Sequence, residues 1–598
     1  MTSFVSLLVG DGSVLVRCGE LLMAKGHRVQ AVISTDLTVR AWAAKAGIPQ
    51  YALDDAVKPE SRLSADILFS IGNYSVIPDA LLERVRRMSI NYHYGPLPEY
   101  SGLHVPAWAV YDRATDYAIT WHRIGEIIDG GGILKRVAVP IESTDTALSL
   151  GLKCDETAIQ SFGALVDDLA AGRERETPQD LSRRRYFSRH SQFSAEGLID
   201  WHQDAEQIAA MVRATDHGPF SSPLVWPKAL IDGRVLAVRK VSVEARAAGA
   251  APGDVVAVDA FGASIATGNR ALRLEALCTL EGEDVAIADL ASAGSLRAGA
   301  RLASTSEQVR AQVTAAGTAA SGSAAFWRGQ WAAWQPYRLP YARPTVPETN
   351  TAPIVGKLPA APQGAGREQA FIEQAAGGLC TFLARASGAA DVHLAVALPR
   401  TDVDPECRDV FCAWAPVLAH MDPAAPVSRN LDAVAGALGQ AREHGLIRRD
   451  LIGRDAALAA RHARGELTPD VLVSSQVPAA YAVDEDRPAL EFVLLAGSEA
   501  FELHFNPRKI TRRAAPRRSW PRRWRTGAAA CRRRPTASWA RSRPCRPANG
   551  NRWWSSSTPP AMPPRSARWC TNCSSTPPPS TRAGWRCAAP TSPCRMAN

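Results

Sequence analysis

Acidic residues are absent from the last part of this chain. All 59 Asp and Glu lie at or before Glu502, whereas residues 508–598 hold 20 Arg, one Lys, six of the twelve Cys and seven of the sixteen Trp. Taking those 21 basic residues from the total of 69 leaves 48, so the formal charge of +10 comes entirely from the tail. A basic tail usually indicates a nucleic-acid or membrane arm. Such arms are rarely rich in Trp and Cys, so a second interpretation is needed.

A frameshift in a GC-rich gene explains the tail composition better. Read from the third base of each codon, RWWSSSTP at 552–559 permits LVVEFNAT, and RWCTNCSS at 568–575 permits LVHELFV. Both strings resemble the entrance of an adenylation domain of a nonribosomal peptide synthetase, in the right order. We therefore predict that residues 508–598 are out of frame and disordered.

Export signals, membrane spans and paired cysteines are also missing. No apolar run reaches the roughly 18 to 20 residues that span a bilayer, and the start MTSFVSLLVGDG lacks the basic stretch of a leader. The six Cys outside the tail show neither disulfide nor metal spacing. These absences predict a cytoplasmic protein with no metal site and no membrane partner.

Short apolar runs alternate with helical spacing in the first part of the chain. This alternation predicts an α/β fold with a doubly wound, mostly parallel sheet over residues 1–185. The expected strands cover 4–9, 28–33, 66–71, 88–93, 117–124 and 132–138. The expected helices cover 14–26, 79–87 and 145–171, the last with Thr144 as its N-cap and Gly172 at its end.

The pattern changes after an Arg-rich connection at 173–195. Strand-sized segments punctuated by Gly predict a small OB-like β-barrel over 196–305, with strands at 235–243, 253–258, 264–267 and 271–278. Residues 306–324 look like a helix that frays into a linker. A further α/β unit is expected over 325–507, with helices at 367–387 and 429–445 and strands at 391–398, 470–474 and 489–505.

The stretch INYHYGPLPEYSGLH, residues 90–104, places two polar side chains at the end of a strand. Asn91 and His93 are two residues apart and so share one face. Pro96 and Pro98 prevent the strand from continuing, which puts the pair at the strand tips where α/β enzymes keep their chemistry. The simpler alternative is a polar pair that merely finishes a strand.

The order and spacing of these residues resemble those of a known family. Asn91-x-His93, then Pro96-Leu97-Pro98, Gly102 and Asp129-Gly-Gly, resemble the 10-formyltetrahydrofolate-dependent formyltransferases, which include the methionyl-tRNA enzyme. The resemblance covers about residues 1–305. One departure is Gly95, where the family usually has Ser.

The resemblance implies a role for each polar residue. Asn91 would donate a hydrogen bond to the formyl oxygen as negative charge develops there. His93 would donate to the same oxygen or move protons. Asp129 would hold the imidazole, raise its pKa by proximity and accept the amine proton. His122 is either a core histidine or a supporting residue of the site.

The implied cosubstrate is 10-formyltetrahydrofolate. It would lie against FSIGNYSVIP at 69–78, with 123–128 opposite, and Tyr74 is either a pocket residue or ordinary packing. The Gly-rich stretch at 9–20 lacks GxGxxG, so a nucleotide loop is not expected there. The candidate cosubstrate-binding residues are Ile71, Gly72, Tyr74, Ile77, Gly125, Ile127 and Gly130.

Two features of the sequence bear on the identity of the amine acceptor: the charge of the second domain and the segment downstream of it. Residues 201–300 hold 9 basic against 12 acidic residues, a poor platform for tRNA, although Arg183 to Arg185 form a local basic run. FWRGQWAAWQPYRLPYARP at 326–344 and ALEFVLLAGSEAFELHFNP at 489–507 resemble parts of a condensation domain of a peptide synthetase. The HHxxxDG motif is missing, so 325–507 resembles only its second half, or is an unrelated α/β module.

These resemblances together imply N-formylation of an aminoacyl group on a carrier protein. A methionyl-tRNA or amino-sugar acceptor and a noncatalytic remnant of a truncated synthetase are the alternatives.

Overall fold

The computed structural model describes residues 2–246, 248–335, 354–357, 367–387, 390–398, 403–422, 425–469, 471–474, 490–494 and 500–505. The chain divides into two compact units, residues 1–542 and 543–598, and every described residue belongs to the first. The tail at 508–598, with its predicted frameshift and disorder, lies outside the described residues, as does the second half of the 326–344 motif.

The first sheet has seven strands in the order β3-β2-β1-β4-β5-β7-β8, and a pair of two-residue strands, β6 and β9, lies apart from it. The strands are β1 Val5–Val9, β2 Arg28–Ile33, β3 Gln50–Tyr51, β4 Ala65–Ser70, β5 Val85–His93, β6 Ser101–Gly102, β7 Tyr117–Arg123, β8 Ile133–Val139 and β9 Tyr186–Phe187. The helices are α1 Gly12–Ala24, α2 Leu37–Lys45, α3 Leu53–Ala56, α4 Asp79–Leu82, α5 Val105–Tyr111 and α6 Ala147–Ala171. Strands β1 to β5 pair in parallel and β7 and β8 antiparallel, which confirms the mostly parallel α/β sheet.

Several predicted helix boundaries differ from the structure: the helix expected over 14–26 covers Gly12–Ala24, and the one expected over 429–445 covers Val427–His444. The helix expected over 79–87 ends at Leu82, because Val85 already pairs with Ala65 in β4. Helix α6 begins two residues later than expected: Thr146 rather than Thr144 is its N-cap, and its hydroxyl and that of Ser149 form a reciprocal capping box. Gly172 ends α6 at φ +64°, as its lack of a Cβ suggested.

The second sheet is antiparallel, with the order β10-β11-β14-β13-β12 and β15 paired with β14. Its strands are β10 Lys228–Ile231, β11 Arg234–Glu244, β12 Val255–Asp259, β13 Gly262–Ala266, β14 Ala271–Cys278 and β15 Asp284–Val285, and its helices are α7 Ala205–Ala214 and α8 Ile287–Ser292. Strands β10 and β12 stand at the two ends of this order, and closure into an OB-like barrel stays a prediction.

Helices occupy the segment predicted as a linker. Helix α9 covers Glu307–Ser321, starts with the Ser306 hydroxyl accepting from the Val309 N–H, and is followed by α10, Ala324–Ala333. Its small residues let it pack closely: a Cβ on Gly317 would lie 1.8 Å from Oε1 of Glu196. Helices α9 and α10 therefore pack against the rest of the protein, the first of them against Glu196.

The third sheet has the order β16-β21-β20-β19-β17-β18 and is mixed. Its strands are β16 Ile354–Lys357, β17 Asp391–Ala397, β18 Trp414–His420, β19 Val471–Ser474, β20 Leu490–Leu494 and β21 Ala500–Phe505. The accompanying helices are α11 Arg367–Ser387, α12 Val427–His444, α13 Leu451–Arg454 and α14 Ala456–Ala463. Trp327, Trp331 and Trp334, each 1% exposed, fill its core.

Buried charges join the second sheet to the downstream unit. Lys228 Nζ donates to Asp450 Oδ2 at 2.8 Å, and both side chains are 1% exposed. Arg448 donates to both carboxylate oxygens of Glu196, at 2.5 and 3.0 Å, and Arg454 Nε lies 3.1 Å from Asp450 Oδ1. We call these five residues the interdomain charge cluster. Among the helices that the structure describes, none has the length and apolar character to cross a bilayer.

Candidate active site

Three neighbouring strands bring their polar ends into one row. Ser70 at the end of β4 pairs with Asn91 in β5, and Asn91 pairs with His122 in β7. The loop after β4 and the loop after β7 therefore leave the sheet on opposite sides of Asn91. This row is where the sequence predicted the chemistry, at the tips of the central strands.

The row and the turn after β7 form a buried polar cluster, the site cluster, made of Asn91, His93, His122 and Asp129. Asp129 Oδ1 lies 3.7 Å from His93 Nδ1 and 3.6 Å from His122 Nε2. Asn91 Nδ2 lies 3.1 Å from His122 Nε2. His93 is 5% and His122 2% exposed. The structure thus brings together all three predicted catalytic residues and places His122 among them, the position that the sequence left open.

Hydrogen bonds to carbonyl oxygens define the proton positions on both imidazoles. His122 Nδ1 lies 2.9 Å from the Arg123 carbonyl, which can only accept, so the neutral ring carries its proton there. His122 Nε2 then accepts from the Asn91 amide, whose second hydrogen is left for another acceptor. His93 Nε2 lies 2.5 Å from the Tyr100 carbonyl by the same logic. A neutral His93 therefore presents an unprotonated Nδ1 towards Asp129.

Asp129 is held as an anion in a strained turn. Its backbone has φ +55°, in the left-handed region that non-glycine residues rarely adopt. Burial alone would raise the pKa of this carboxyl, but the His93 and His122 imidazoles and the Gly102 N–H, which donates to Oδ2 at 2.7 Å, bring the pKa down to about 2. Asp129 is therefore ionised throughout the physiological range.

The pKa of His93 departs from the expectation. Asp129 does act to raise it, as predicted, but burial of the imidazole acts more strongly in the opposite direction. The neighbouring His122 also lowers it, so the net pKa of His93 is below 6.5. His93 is thus a neutral proton acceptor near pH 7 rather than a standing cation.

The predicted cosubstrate-binding residues divide into exposed and buried groups. Tyr74 is 60% and Ile127 50% exposed, on the two loops that flank Asn91, and Val76 and Ile128 beside them are equally open. Ile71 and Ile77 are core residues at 0% and 8% exposure, so their side chains are closed to a ligand. The Tyr74 ring stacks on His104 at 6.3 Å between centroids.

The glycines of the two loops are required by the protein's own backbone. A Cβ on Gly72, at φ +63°, would lie 2.5 Å from the Asp11 carbonyl oxygen, and one on Gly131 would lie 1.9 Å from that of Arg123. A Cβ on Gly130 would meet Ile127 at 2.8 Å, whereas Gly125 has more room. Close packing within the loops accounts for Gly130 and Gly131 without any ligand, a reason that the sequence analysis did not consider.

Sequence reasoning missed the groups that hold the cluster in place. The Tyr100 carbonyl and the Gly102 N–H are main-chain groups, which carry no residue-type signal. Gln179 donates to the Asp129 and Gly131 carbonyls at 2.8 and 2.6 Å. It lies fifty residues after Asp129, so no local pattern could have associated the two.

A carboxylate, two imidazoles and an amide lie together at the tips of an α/β sheet, and these are groups that can accept and donate protons. Residues 25–163 match the family model described as formyl transferase, and residues 193–293 match the formyl transferase C-terminal domain. The two matches cover less than half of the chain. They confirm the resemblance found in the sequence and show that this part of the chain is a formyltransferase.

Solved structures with some likeness include three folate-bound proteins. The N-formyltransferase from Helicobacter canadensis, in complex with folinic acid and dTDP-3-aminofucose, is 17% identical over 46% of this chain and 99% of that one, with a TM-score of 0.36. The sugar 3N-formyl transferase WlaRD is 18% identical over 46% and 97%, at 0.37. HypX from Aquifex aeolicus, bound to tetrahydrofolic acid, is 17% identical over 48% and 47%, at 0.35. These likenesses are too weak to support a conclusion, and the family assignment depends on the two domain matches.

Proposed function

We propose that this chain transfers the formyl group of 10-formyltetrahydrofolate to a primary amine at the site cluster. The observation that carries the proposal is the approach of the His93 imidazole to the ionised Asp129 at 3.7 Å, beside an Asn91 amide with one hydrogen uncommitted. A base, an anion that supports it and a donor for an oxyanion are the groups that acyl transfer to an amine requires.

Each residue has a distinct part in the proposed reaction. The neutral amine attacks the formyl carbon, a C–N bond forms, and Asn91 donates to the oxygen as it becomes negative. His93 Nδ1 takes the proton that the amine loses, and the adjacent Asp129 stabilises the resulting imidazolium. The bond from the formyl carbon to the folate nitrogen then breaks with its electron pair on that nitrogen, which receives a proton as tetrahydrofolate leaves.

The cosubstrate site is proposed between the two loops that flank Asn91. Single exposed apolar side chains are common on protein surfaces, but a group of them beside a polar site is a candidate surface for a ligand. Tyr74 and Val76 on one loop, and Ile127 and Ile128 on the other, offer such surfaces beside the catalytic row. Main-chain groups near Gly72 and Gly125 would serve the polar edge of the pterin.

An aminoacyl group on a carrier protein is the acceptor that we propose. The support is the resemblance of 325–507 to part of a condensation domain, together with the buried charge pairs that fasten this unit to the second sheet.

The tRNA alternative loses its strongest sequence feature. Arg183 pairs with Glu99 at 2.6 Å and Arg185 with Asp112 at 2.9 Å. Arg184 lies over the Tyr186 ring and donates to the Ile128 carbonyl. The basic run is therefore engaged by the protein itself, which leaves little of it for a phosphate backbone.

The test is tetrahydrofolate release by the full chain with 10-formyltetrahydrofolate and, in parallel, aminoacyl carrier protein, methionyl-tRNA and a dTDP-linked amino sugar. Formylation of the carrier-bound amine, lost in His93→Ala, is the expected result. Preference for tRNA or for the sugar would overturn the acceptor but keep the reaction. If no turnover is seen with any of the three acceptors, the chain is the noncatalytic remnant.

A further inference from the structure

We propose that the connection between the two formyltransferase domains holds the catalytic turn in place, with Gln179 as a positioning residue for Asp129. This inference rests on the proposed function of the site cluster. It gives the Arg-rich connection at 173–195 a structural role at the site cluster, in addition to joining the two domains.

Gln179 spans the turn that carries Asp129. One side-chain nitrogen, Nε2, donates to the Asp129 carbonyl at 2.8 Å and to the Gly131 carbonyl at 2.6 Å. The two carbonyls lie on either side of Gly130, so the amide bridges the turn. Because Asp129 sits at φ +55°, its backbone needs such support from outside the turn to keep this conformation.

The same segment contacts the turn at two further points. The Thr177 and Ile133 main chains exchange hydrogen bonds at 2.8 and 2.9 Å immediately after the turn. Arg184 donates to the Ile128 carbonyl at 3.0 Å immediately before it. Together with the hydrogen bonds of Gln179, these contacts hold the turn at both ends and in the middle. The connection runs antiparallel to the turn, so that its residues 177–184 contact residues 133 back to 128.

The connection also reaches the carboxylate through a pair of short strands. Strand β9 pairs in parallel with β6, and Gly102 in β6 is the residue whose N–H donates to Asp129 Oδ2. A Cβ on Gly102 would lie 2.1 Å from the Phe187 carbonyl oxygen, so only Gly allows this pairing. The backbone and the side chain of Asp129 are thus both positioned from residues 177–187.

Three variants of Gln179 distinguish the effect of losing its hydrogen-bond donor from the effect of changing the size of its side chain. Gln179→Glu keeps the shape but loses the N–H donors and sets a carboxylate against two carbonyls. Gln179→Leu removes all polarity, and Gln179→Lys restores a donor. We expect kcat for formyl transfer, with the acceptor that the panel above identifies, to fall about 10- to 100-fold in the Glu and Leu variants and to recover substantially in the Lys variant. Gln160→Leu, on the exposed face of α6, is the control for the substitution itself.

A double-mutant cycle distinguishes positioning from general structural support. If Gln179 acts through Asp129, adding Gln179→Leu to Asp129→Asn should change the residual rate by less than about twofold. An equal loss in both backgrounds, or a Gln179→Leu enzyme with the rate of the Gln160→Leu control, would overturn the proposal. Melting temperatures within a few degrees of the parent show that the variants fold.

A readout without turnover keeps this inference separate from the proposed function. Ring titration of histidine-labelled full chain by NMR reports the pKa of His93, which Asp129 acts to raise. Gln179→Leu should lower that pKa further, because the carboxylate moves away, whereas Gln160→Leu should not. An unchanged His93 titration would overturn the inference even if no acceptor were formylated, and the predicted shift would support it.

Discussion

The site cluster and the interdomain charge cluster are both buried and both rich in charge, yet they are built differently. In the interdomain charge cluster each of the three protons of Lys228 has an acceptor at 2.8 Å: the Glu196 and Trp226 carbonyls and Asp450. In the site cluster the carboxylate-imidazole distances are 3.6 and 3.7 Å, beyond hydrogen-bond length. The buried Lys228 ammonium has all its protons accepted within the protein and holds the structure together, while the carboxylate and imidazoles of the site cluster stand apart and retain capacity for a substrate.

The pKa directions follow the same division. Burial would raise the pKa of Asp450, but Arg454 and Lys228 hold it well below its usual range, so this carboxylate has no proton to exchange near neutrality. In the site cluster burial lowers the pKa of His93 and Asp129 raises it, which leaves a base that can gain a proton when the reaction supplies one. Buried charge alone therefore does not indicate catalysis; a buried group that can still gain a proton does.

The largest expected effect comes from breaking the interdomain charge cluster. Lys228→Met should reduce the free energy of unfolding of the full chain by about 3 to 5 kcal/mol, because it leaves Asp450 and two carbonyls without their buried donor. Urea denaturation measures this. Lys240→Met is the matched control, since Lys240 is 71% exposed and pairs with Glu275 at the surface, and should cost at most about 1 kcal/mol. Equal losses in the two variants would contradict the structural role of Lys228.

Breaking the site cluster should have the opposite profile. His93→Ala and Asp129→Asn should each reduce formyl transfer by at least about 10²-fold, because base and supporting anion are lost, while stability changes little. The rate is measured as tetrahydrofolate release per folded molecule. Lys228→Met, compared below its own melting temperature, should keep the parental rate within about twofold. Near-normal turnover in both site variants would show that the residues were wrongly assigned.

Removing exposed apolar groups beside the site should affect cosubstrate binding. Tyr74→Ala or Ile127→Ala should raise the KM for 10-formyltetrahydrofolate about 5- to 10-fold, roughly the worth of one contact residue, with little change in kcat. Phe261→Ala is the control, because Phe261 is 82% exposed on the hairpin between β12 and β13. If all three variants bind the cosubstrate alike, the two loops do not form its site.

The smallest effect concerns pH. His93 must be neutral to accept a proton, and burial lowers its pKa below that of an ordinary histidine. Activity should therefore persist at pH values where an ordinary imidazole is already protonated, and be lost only on further acidification. Asp129 has a pKa of about 2 and stays ionised, so its titration does not change kcat/KM in this pH range. In Asp129→Asn the acid limb of kcat/KM should move to still lower pH, since the group that raises the His93 pKa is gone. The ionisation of the amine is common to both enzymes, so an unshifted limb would exclude His93 as the base.

The local parts of this fold could be predicted from sequence. The runs at 28–33 and 391–398 are strands within one residue of their predicted ends. Asn91 and His93 share one face because side chains along a strand repeat every two residues. Helix α6 ends at Gly172 because glycine can take a positive φ. The segment at 306–324 was predicted as a helix that frays into a linker, and α9 covers Glu307–Ser321 of it. Its small residues carry no sequence signal for packing, which the close approach of Gly317 to Glu196 reveals.

What the sequence by itself determined is the resemblance of the first part of the chain to formyltransferases, the mostly parallel first sheet and the identity of three catalytic candidates. Periodicity, caps and a spaced motif act over a few residues, so the chain states them directly. The tertiary structure alone decided that His122 belongs to the site, that Gln179 supports Asp129 and that Lys228 meets Asp450. Those pairs are separated by 31, 50 and 222 residues, counting His122 from Asn91. Contacts over such distances depend on how packed elements close the chain on itself, and no local preference specifies them.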